Sequence, residues 1–199
     1  MRNATVNCII LGHKNFGESD KLIFLYSEKT GKIKAIAKGS RKINSKFTGH
    51  LETLNFCTVE LYFGPRNIII TEIISATSHF KHHENLEKLT AVLEVAKITN
   101  QLLFETQTVE NLLSLIKKTI QSINATDKPN LISTSYTIKL LDLNGLMPDL
   151  KETQTSLPEK YKKFFHFLQT RPYKEIARIK IEPQENHYIQ TTVENILQL

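Results

Sequence analysis

The sequence predicts an α+β protein in which a small five-stranded barrel is followed by a helical bundle. Two features of the hydrophobic pattern predict this order. Between Asn7 and Phe80 apolar and polar residues alternate as in half-buried strands, and after Phe80 the apolar residues recur at the spacing of helices. With 199 residues the chain is long enough for two small domains, which we place at residues 1–80 and 81–199.

Five strands are predicted near residues 5–13, 21–28, 32–38, 53–63 and 67–77. Because no long helix interrupts them, this arrangement favours a small closed barrel. A tight turn is predicted before the third strand, since Gly31 permits a positive φ. The third strand has an apolar face of Ile33, Ala35 and Ala37 and an opposite face of Lys32, Lys34, Ile36 and Lys38.

Helices are predicted from apolar stripes in the second domain. Later stripes indicate helices at residues 109–123, 131–143, 158–169 and 184–199, and Asn144-Gly145 ends the one at 131–143. We therefore expect a helical bundle. The first stripe consists of Leu86, Leu89, Leu93 and Ala96, and it continues with Val92 and Leu103.

The composition argues against several classes of protein. Apolar runs such as Cys8–Leu11 are far shorter than the ~18 residues of a membrane span. The two cysteines, Cys8 and Cys57, cannot form a disulfide framework, and no C-x-x-C pair offers a zinc or redox site. The phosphate-binding pattern G-x-x-x-x-G-K-[ST] is also missing from the sequence. We expect a cytoplasmic protein without a cofactor.

Positive charge is concentrated in the first domain. Residues 1–80 hold 11 basic and 6 acidic residues, whereas residues 81–199 hold 15 and 14. The segment Lys29–Lys46 contains seven cations and no carboxylate. A field of one sign attracts a polyanion, and the alternative is a solvated face that keeps the protein soluble.

Several short motifs occur in a specific order over the first 65 residues. They are Phe16-Gly17-Glu18-Ser19-Asp20-Lys21-Leu22, Thr30-Gly31-Lys32, Ala37-Lys38-Gly39-Ser40-Arg41-Lys42, Ser45-Lys46-Phe47, Gly49-His50-Leu51-Glu52 and Glu60-Leu61-Tyr62. Together these motifs resemble the amino-terminal domain of the RecO family of bacterial recombination mediators. The resemblance implies an OB-fold DNA-binding domain at residues 1–80, joined to a helical domain at residues 81–199.

The resemblance also implies a function without a catalytic step. Family members bind single- and double-stranded DNA, anneal complementary strands and help to load recombinase on DNA coated with single-stranded-DNA-binding protein (SSB). The partners implied are DNA, RecR and SSB, in the nucleoid of the cytoplasm. The SSB tail is acidic and apolar, and an apolar groove with a basic rim would suit it. Candidate rim residues are Lys117, Lys118, Lys162 and Lys163.

The helical domain departs from the family pattern at one place. Many RecO-like chains carry a cysteine zinc site after a Gly-x-x-Pro segment. Here Gly145-Leu146-Met147-Pro148 is followed by residues 149–155, which contain no cysteine. We therefore expect no zinc site in this domain.

The residues themselves indicate how DNA would be held. The chain has 21 lysines and 5 arginines, which favours point-charge contacts with phosphates over bidentate reading of base edges. The predicted stacking residue is Phe47, with Tyr62 as a similar candidate, while Phe24 and Phe63 are expected in the core. The predicted DNA-binding cations are Lys34, Lys38, Arg41, Lys42 and Lys46, followed by Lys32 and Arg66.

Two other groups of residues have the types found in metal or catalytic sites, but each has a simpler structural explanation. His79, His82 and His83 have a spacing that could hold a divalent metal, but no cysteine lies near them, so we expect no metal site. Glu18 and Asp20 are more typical of a turn than of a catalytic acid pair.

Two rival functions remain open at this point. One is a scaffold that docks RecR without binding DNA. The other is an RNA-binding OB protein of translation.

Overall fold

The computed structural model describes residues 3–81, 84–147 and 158–197. These residues form five strands followed by six helices. The elements are β1 (Asn3–Phe16), β2 (Asp20–Ser27), β3 (Gly31–Ala37), β4 (Asn55–Phe63), β5 (Ile68–Ser78), α1 (Leu86–Leu102), α2 (Leu112–Ala125), α3 (Pro129–Leu143), α4 (Glu159–Thr170), α5 (Tyr173–Ile176) and α6 (Pro183–Leu197).

The five strands close into a barrel in the order β1-β2-β3-β5-β4. The long strand β1 closes it, because the Asn3–Ile9 part of β1 pairs with β4 and the Ile9–Phe16 part pairs with β2. All pairs are antiparallel except β3 and β5, where Ala35 lies opposite Ile68 in a parallel pair. A five-stranded barrel followed by helices is the predicted α+β fold class, with an OB-fold at its amino-terminal end. The prediction is confirmed.

The barrel core follows the predicted alternation of β3. Ile33, Ala35 and Ala37 are buried together with Ile23 and Leu25 of β2. Since successive side chains of a strand point to opposite faces, Lys32, Lys34 and Ile36 lie on the outer side, whereas Lys38 follows the end of β3. The same parity places Leu22, Phe24 and Tyr26 of β2 on that outer side.

The predicted stripe of α1 is wrong in part. Leu86 and Leu93 are 74% and 45% exposed, whereas Val92, Ala96 and Leu103 of the predicted stripe are buried together with Val95. Apolar residues lie on more than one side of α1, so their spacing alone did not select the buried face. In α2 the predicted pattern holds, since Leu112, Ile116, Ile120 and Ile123 are fully buried.

The chain divides into two compact units. One consists of residues 1–81 and 96–117, and the other of residues 82–95 and 118–199. Residues 96–117, which the sequence assigns to the helical domain, thus belong with the barrel. Tyr26 explains part of this packing, because its hydroxyl donates to the Val109 carbonyl and accepts from the Val109 N–H, both at 2.8 Å.

The helical unit is built around α3, which is buried along most of its length. Two lysines from this region bind backbone carbonyls at the ends of α4 and α5. The ammonium group of Lys139 donates to the carbonyls of Gln169 and Arg171 at 2.7 and 2.9 Å, and that of Lys128 donates to those of Ala177 and Ile179 at 3.1 and 2.7 Å. None of the helices described combines the length and apolar character that crossing a membrane requires.

Candidate nucleic-acid interface

The basic loop, residues 38–46, is fixed where it leaves β3. Asp20 holds it there, because its Oδ1 accepts hydrogen bonds from the Gly39 N–H at 2.8 Å and from the Ser19 hydroxyl at 3.2 Å. The Arg41 N–H also donates to the Ser19 carbonyl at 2.9 Å. Asp20 therefore joins the turn between β1 and β2 to the basic loop.

Five of the predicted cations are exposed without a described carboxylate partner, and one of them, Lys46, is described below together with Phe47. Lys38 and Lys42 have exposed side chains that no ion pair or hydrogen bond engages within the described residues. The Arg41 guanidinium donates only to a neutral backbone carbonyl, that of Gly17, at 3.2 Å. Arg66 is exposed in the turn between β4 and β5. We call these four residues, Lys38, Arg41, Lys42 and Arg66, the open cations.

Lys32 has a different environment. Its ammonium group donates to the carbonyl of Leu103 at 2.7 Å and to that of Asn100. These carbonyls lie at the carboxy-terminal end of α1, where a cation satisfies unpaired acceptors and the helix dipole. Burial, followed by the charge of Lys34, lowers the pKa of Lys32. The structure thus gives Lys32 a role in packing residues 96–117 on the barrel.

Lys34 is partly neutralised. Its ammonium group forms an ion pair with Glu105, and both side chains are about half exposed. The hydrogen bond and charge of Lys34 lower the pKa of Glu105. A phosphate that reaches Lys34 must therefore compete with this carboxylate.

Lys46 and Phe47 are held together on the barrel. The Lys46 ammonium donates to the Thr71 carbonyl at 2.6 Å and lies 5.4 Å from the centre of the Phe47 ring. Phe47 is only 5% exposed and belongs to the barrel core. The prediction that Phe47 stacks on a base is therefore wrong, because the loop folds its ring inward and leaves no free face.

Two other aromatic side chains are exposed instead. Tyr62 is 39% exposed, as its place on the polar side of β4 predicts. Phe16 is 47% exposed at the end of β1. Phe16 was not among the predicted stacking residues. Its position beside the Gly17 turn and beyond the apolar alternation of β1 was a signal of its exposure.

The outer side of β2 and β3 has a covered half and an open half. Residues 103–109 cover the half that contains Tyr26 and Lys32, since the Thr106 N–H donates to the Lys32 carbonyl at 2.8 Å. The open half forms a shallow groove, the barrel groove. Its lining includes Phe16, Leu22, Ile36, Pro65 and Arg66 and, at the covered edge, Lys32, Lys34, Glu105 and Thr106.

The helical unit contains a second groove, between α4 and α6. Its floor is apolar and includes Tyr161, Phe164, Phe167 and Ile189. Lys160 and Lys163 lie at its rim, where Lys160 is paired with Glu185. Of the rim residues predicted from sequence, Lys163 lines this groove.

In the described residues the cysteines form no disulfide, and the histidines belong to no group that could hold a metal. Cys8 and Cys57 lie opposite each other on β1 and β4 as free, buried thiols, and burial raises the pKa of Cys57 to about 11. No group of His, Cys, Asp or Glu side chains that could hold a metal is found in residues 3–81, 84–147 and 158–197. His82, His83 and residues 148–157, where the family's cysteines would fall, lie outside these ranges.

Comparison with known proteins gives a consistent result over both parts of the chain. The family model "Recombination protein O N terminal" matches residues 1–76, and "Recombination protein O C terminal" matches residues 83–190. Similar proteins are named DNA repair protein RecO. The one from Thermoanaerobacter sp. (strain X514) is 27% identical over 151 residues, which are 75% of this chain and 61% of that protein.

Two further relatives with the same name agree. The protein of Acetivibrio thermocellus is 28% identical over 141 residues, 70% of this chain and 56% of its own length. That of Roseiflexus sp. (strain RS-1) is 28% identical over 145 residues, 72% of this chain and 50% of its own length. This chain thus spans between half and about three fifths of these relatives. The two matched models, in the order barrel then helices, show that the chain belongs to the RecO family.

Proposed function

We propose that this protein is a non-catalytic mediator of DNA repair and recombination that binds DNA through the open cations of its barrel. The observation that carries the proposal is a set of exposed cations, Lys38, Arg41, Lys42 and Arg66, that no described carboxylate neutralises. The name shared by its relatives, DNA repair protein RecO, supports the same role.

Binding of this kind is independent of base sequence. Each cation that contacts a phosphate displaces a condensed counterion, so the logarithm of the affinity falls with the logarithm of the salt concentration by about 0.7 per contact on single strands. Lysine ammonium groups contact the backbone as point charges and leave base edges free. Both single and double strands can therefore bind.

Annealing follows from the same charge. Two complementary strands repel each other, and a basic surface lowers that repulsion while their bases remain able to pair. No nucleotide hydrolysis is needed. We therefore propose that the protein accelerates annealing without a cofactor.

Recruitment to SSB-coated DNA is the second part of the proposed function. The groove between α4 and α6 has an aromatic and aliphatic floor and an exposed cation, Lys163, at its rim. An acidic peptide with a terminal apolar side chain fits that chemistry. A peptide of the SSB tail should bind the intact protein, and Lys163→Glu should weaken that binding. RecR is proposed as a partner from family membership alone, and co-purification with RecR is its test.

The DNA site is tested with two triple variants of equal charge. One replaces Lys38, Arg41 and Lys42 by alanine, and its control replaces the exposed Lys174, Arg178 and Lys180 of the helical unit. The first should lose at least about tenfold in affinity for single strands and flatten the salt slope by about 2, because three phosphate contacts disappear. The control should change both quantities less.

Three outcomes would contradict the proposal. Equal losses in both triple variants would mean that net charge, and no particular surface, attracts DNA. Unchanged affinity in the first variant would favour the scaffold that docks RecR. Annealing of RNA as fast as DNA would favour the RNA-binding alternative.

A further inference from the structure

The barrel groove combines three properties on one small surface. Leu22 of β2 and Ile36 of β3 lie opposite each other in the sheet and give it an aliphatic floor. Phe16 stands at the end of β1 with its side chain about half exposed. Arg66 and Pro65 of the turn between β4 and β5 form another wall.

The position of Phe16 is fixed by its backbone. Phe16 pairs with Asp20 at the last step of the β1–β2 ladder, and Asp20 holds Gly39 of the basic loop. The end of β1 is thus well supported. An exposed aromatic ring at such a position loses little conformational freedom when a ligand covers it. The Phe16 ring is therefore suited to packing against a ligand.

The charge around the groove selects the kind of ligand. Arg66 lies in the groove, and Lys38, the first residue of the basic loop, follows two residues after Ile36 of the groove floor. Arg41 and Lys42 extend this positive surface along the basic loop. A ligand with a flat apolar face and a chain of negative charges matches an aromatic ring beside a row of cations. An unpaired nucleotide in a single strand has both features, whereas a base inside a duplex has its faces covered by neighbours.

We infer that the barrel groove is a base-binding site in which the Phe16 ring stacks on an unpaired base of a single strand. The inference rests on the proposed DNA binding and deepens it. The open cations hold the backbone of single and double strands alike, and Phe16 adds a contact that only unpaired bases can make. Phe16 thus makes the protein bind single strands more tightly than duplex DNA.

A unique fluorophore tests the contact directly. The chain contains no tryptophan, so Phe16→Trp places a single indole in the groove. A single-stranded oligonucleotide should quench its emission, and an abasic strand of equal length and charge should not. Phe104→Trp is the control, because Phe104 is 76% exposed in the same unit but does not line the groove. An equal quench by the abasic strand, or by an Asp- and Glu-rich peptide, would overturn the inference.

Affinity measurements separate this inference from the proposed function. Phe16→Ala should lower single-strand affinity by between about 5-fold and 150-fold, the range for losing one stacked base. Its salt slope and its duplex affinity should stay unchanged, because no phosphate contact is removed. Phe16→Tyr should restore single-strand binding. If Phe16→Ala binds single strands normally while the Lys38, Arg41 and Lys42 variant does not, the inference fails and the proposed function stands.

Discussion

The covered and open halves of the outer side of β2 and β3 differ, although the same two strands form both. In the covered half Tyr26 is fully buried and the Lys32 ammonium is bound by backbone carbonyls. The open half, which contains Leu22 and Ile36, is flanked by the exposed Phe16 of β1 and by Arg66 of the turn between β4 and β5, and Arg66 is free of any described carboxylate. The alternation of the strands is continuous across both halves. Residues 103–109 make the difference, because they cover one half only.

This difference shows that an outward-facing cation is not automatically a binding residue. Lys32 and Lys34 lie on the outer side of β3 and Lys38 follows directly after that strand, yet the first is bound by carbonyls, the second is paired with Glu105 and the third is open. Their availability to a phosphate thus increases along the chain. Each of the following variants changes one side of this comparison.

The largest effect is expected from Gly31→Ala. Gly31 has φ +69°, and an added Cβ would lie 2.4 Å from the backbone carbonyl of Thr106. The covering segment would have to move, so the free energy of unfolding in urea should fall by about 3 kcal/mol. Gly17→Ala is the control, since Gly17 has φ +60° but nothing within 4 Å, and it should cost about 1 kcal/mol. Equal losses would mean that close packing at Gly31 is unimportant.

Tyr26→Phe should loosen the covered half. The Tyr26 hydroxyl pairs with both the N–H and the carbonyl of Val109, and its loss leaves two backbone groups unpaired in a buried place. The free energy of unfolding should fall by about 2 kcal/mol, and hydrogen exchange at the Val109 amide should accelerate. Tyr62→Phe, at an exposed position, should change neither. An unchanged exchange rate in Tyr26→Phe would contradict this account of the cover.

The smallest effect is expected from Glu105→Gln. Removing the carboxylate leaves Lys34 free for a phosphate, so single-strand affinity should rise by about 2-fold and the salt slope should steepen by about 0.7. Glu110→Gln makes the same charge change at an exposed carboxylate that accepts a hydrogen bond from the side-chain amide of Asn111. If both variants raise the affinity equally, the Lys34–Glu105 pair has no special role.

Local patterns predicted the barrel well. The five strands and the outward row of β3 depend on neighbours a few residues away, which alternation and turn chemistry report directly. The fold class and the family resemblance followed from these features. The short helix α5 was missed because four residues do not make a period.

Long-range contacts explain the errors at the candidate site. The carbonyls that bind Lys32 lie 68 and 71 residues further along the chain, and Glu105 is equally remote from Lys34. Phe47 sits in a segment that reads as a polar loop, and only the folding of that loop over the barrel buries its ring. No local period carries this information. Phe16 shows the opposite behaviour, since the described residues leave about half of its side chain uncovered at the end of β1.

The most direct test compares the salt slope of single-strand binding in Lys32→Met and Lys38→Met. Lys32→Met removes an ammonium group from β3, and Lys38→Met removes one from the residue directly after that strand. Lys38→Met should flatten the slope by about 0.7, because one phosphate contact is lost, and Lys32→Met should leave it unchanged while lowering the stability of the fold. Equal flattening in both variants would contradict the division of this surface into a covered and an open half.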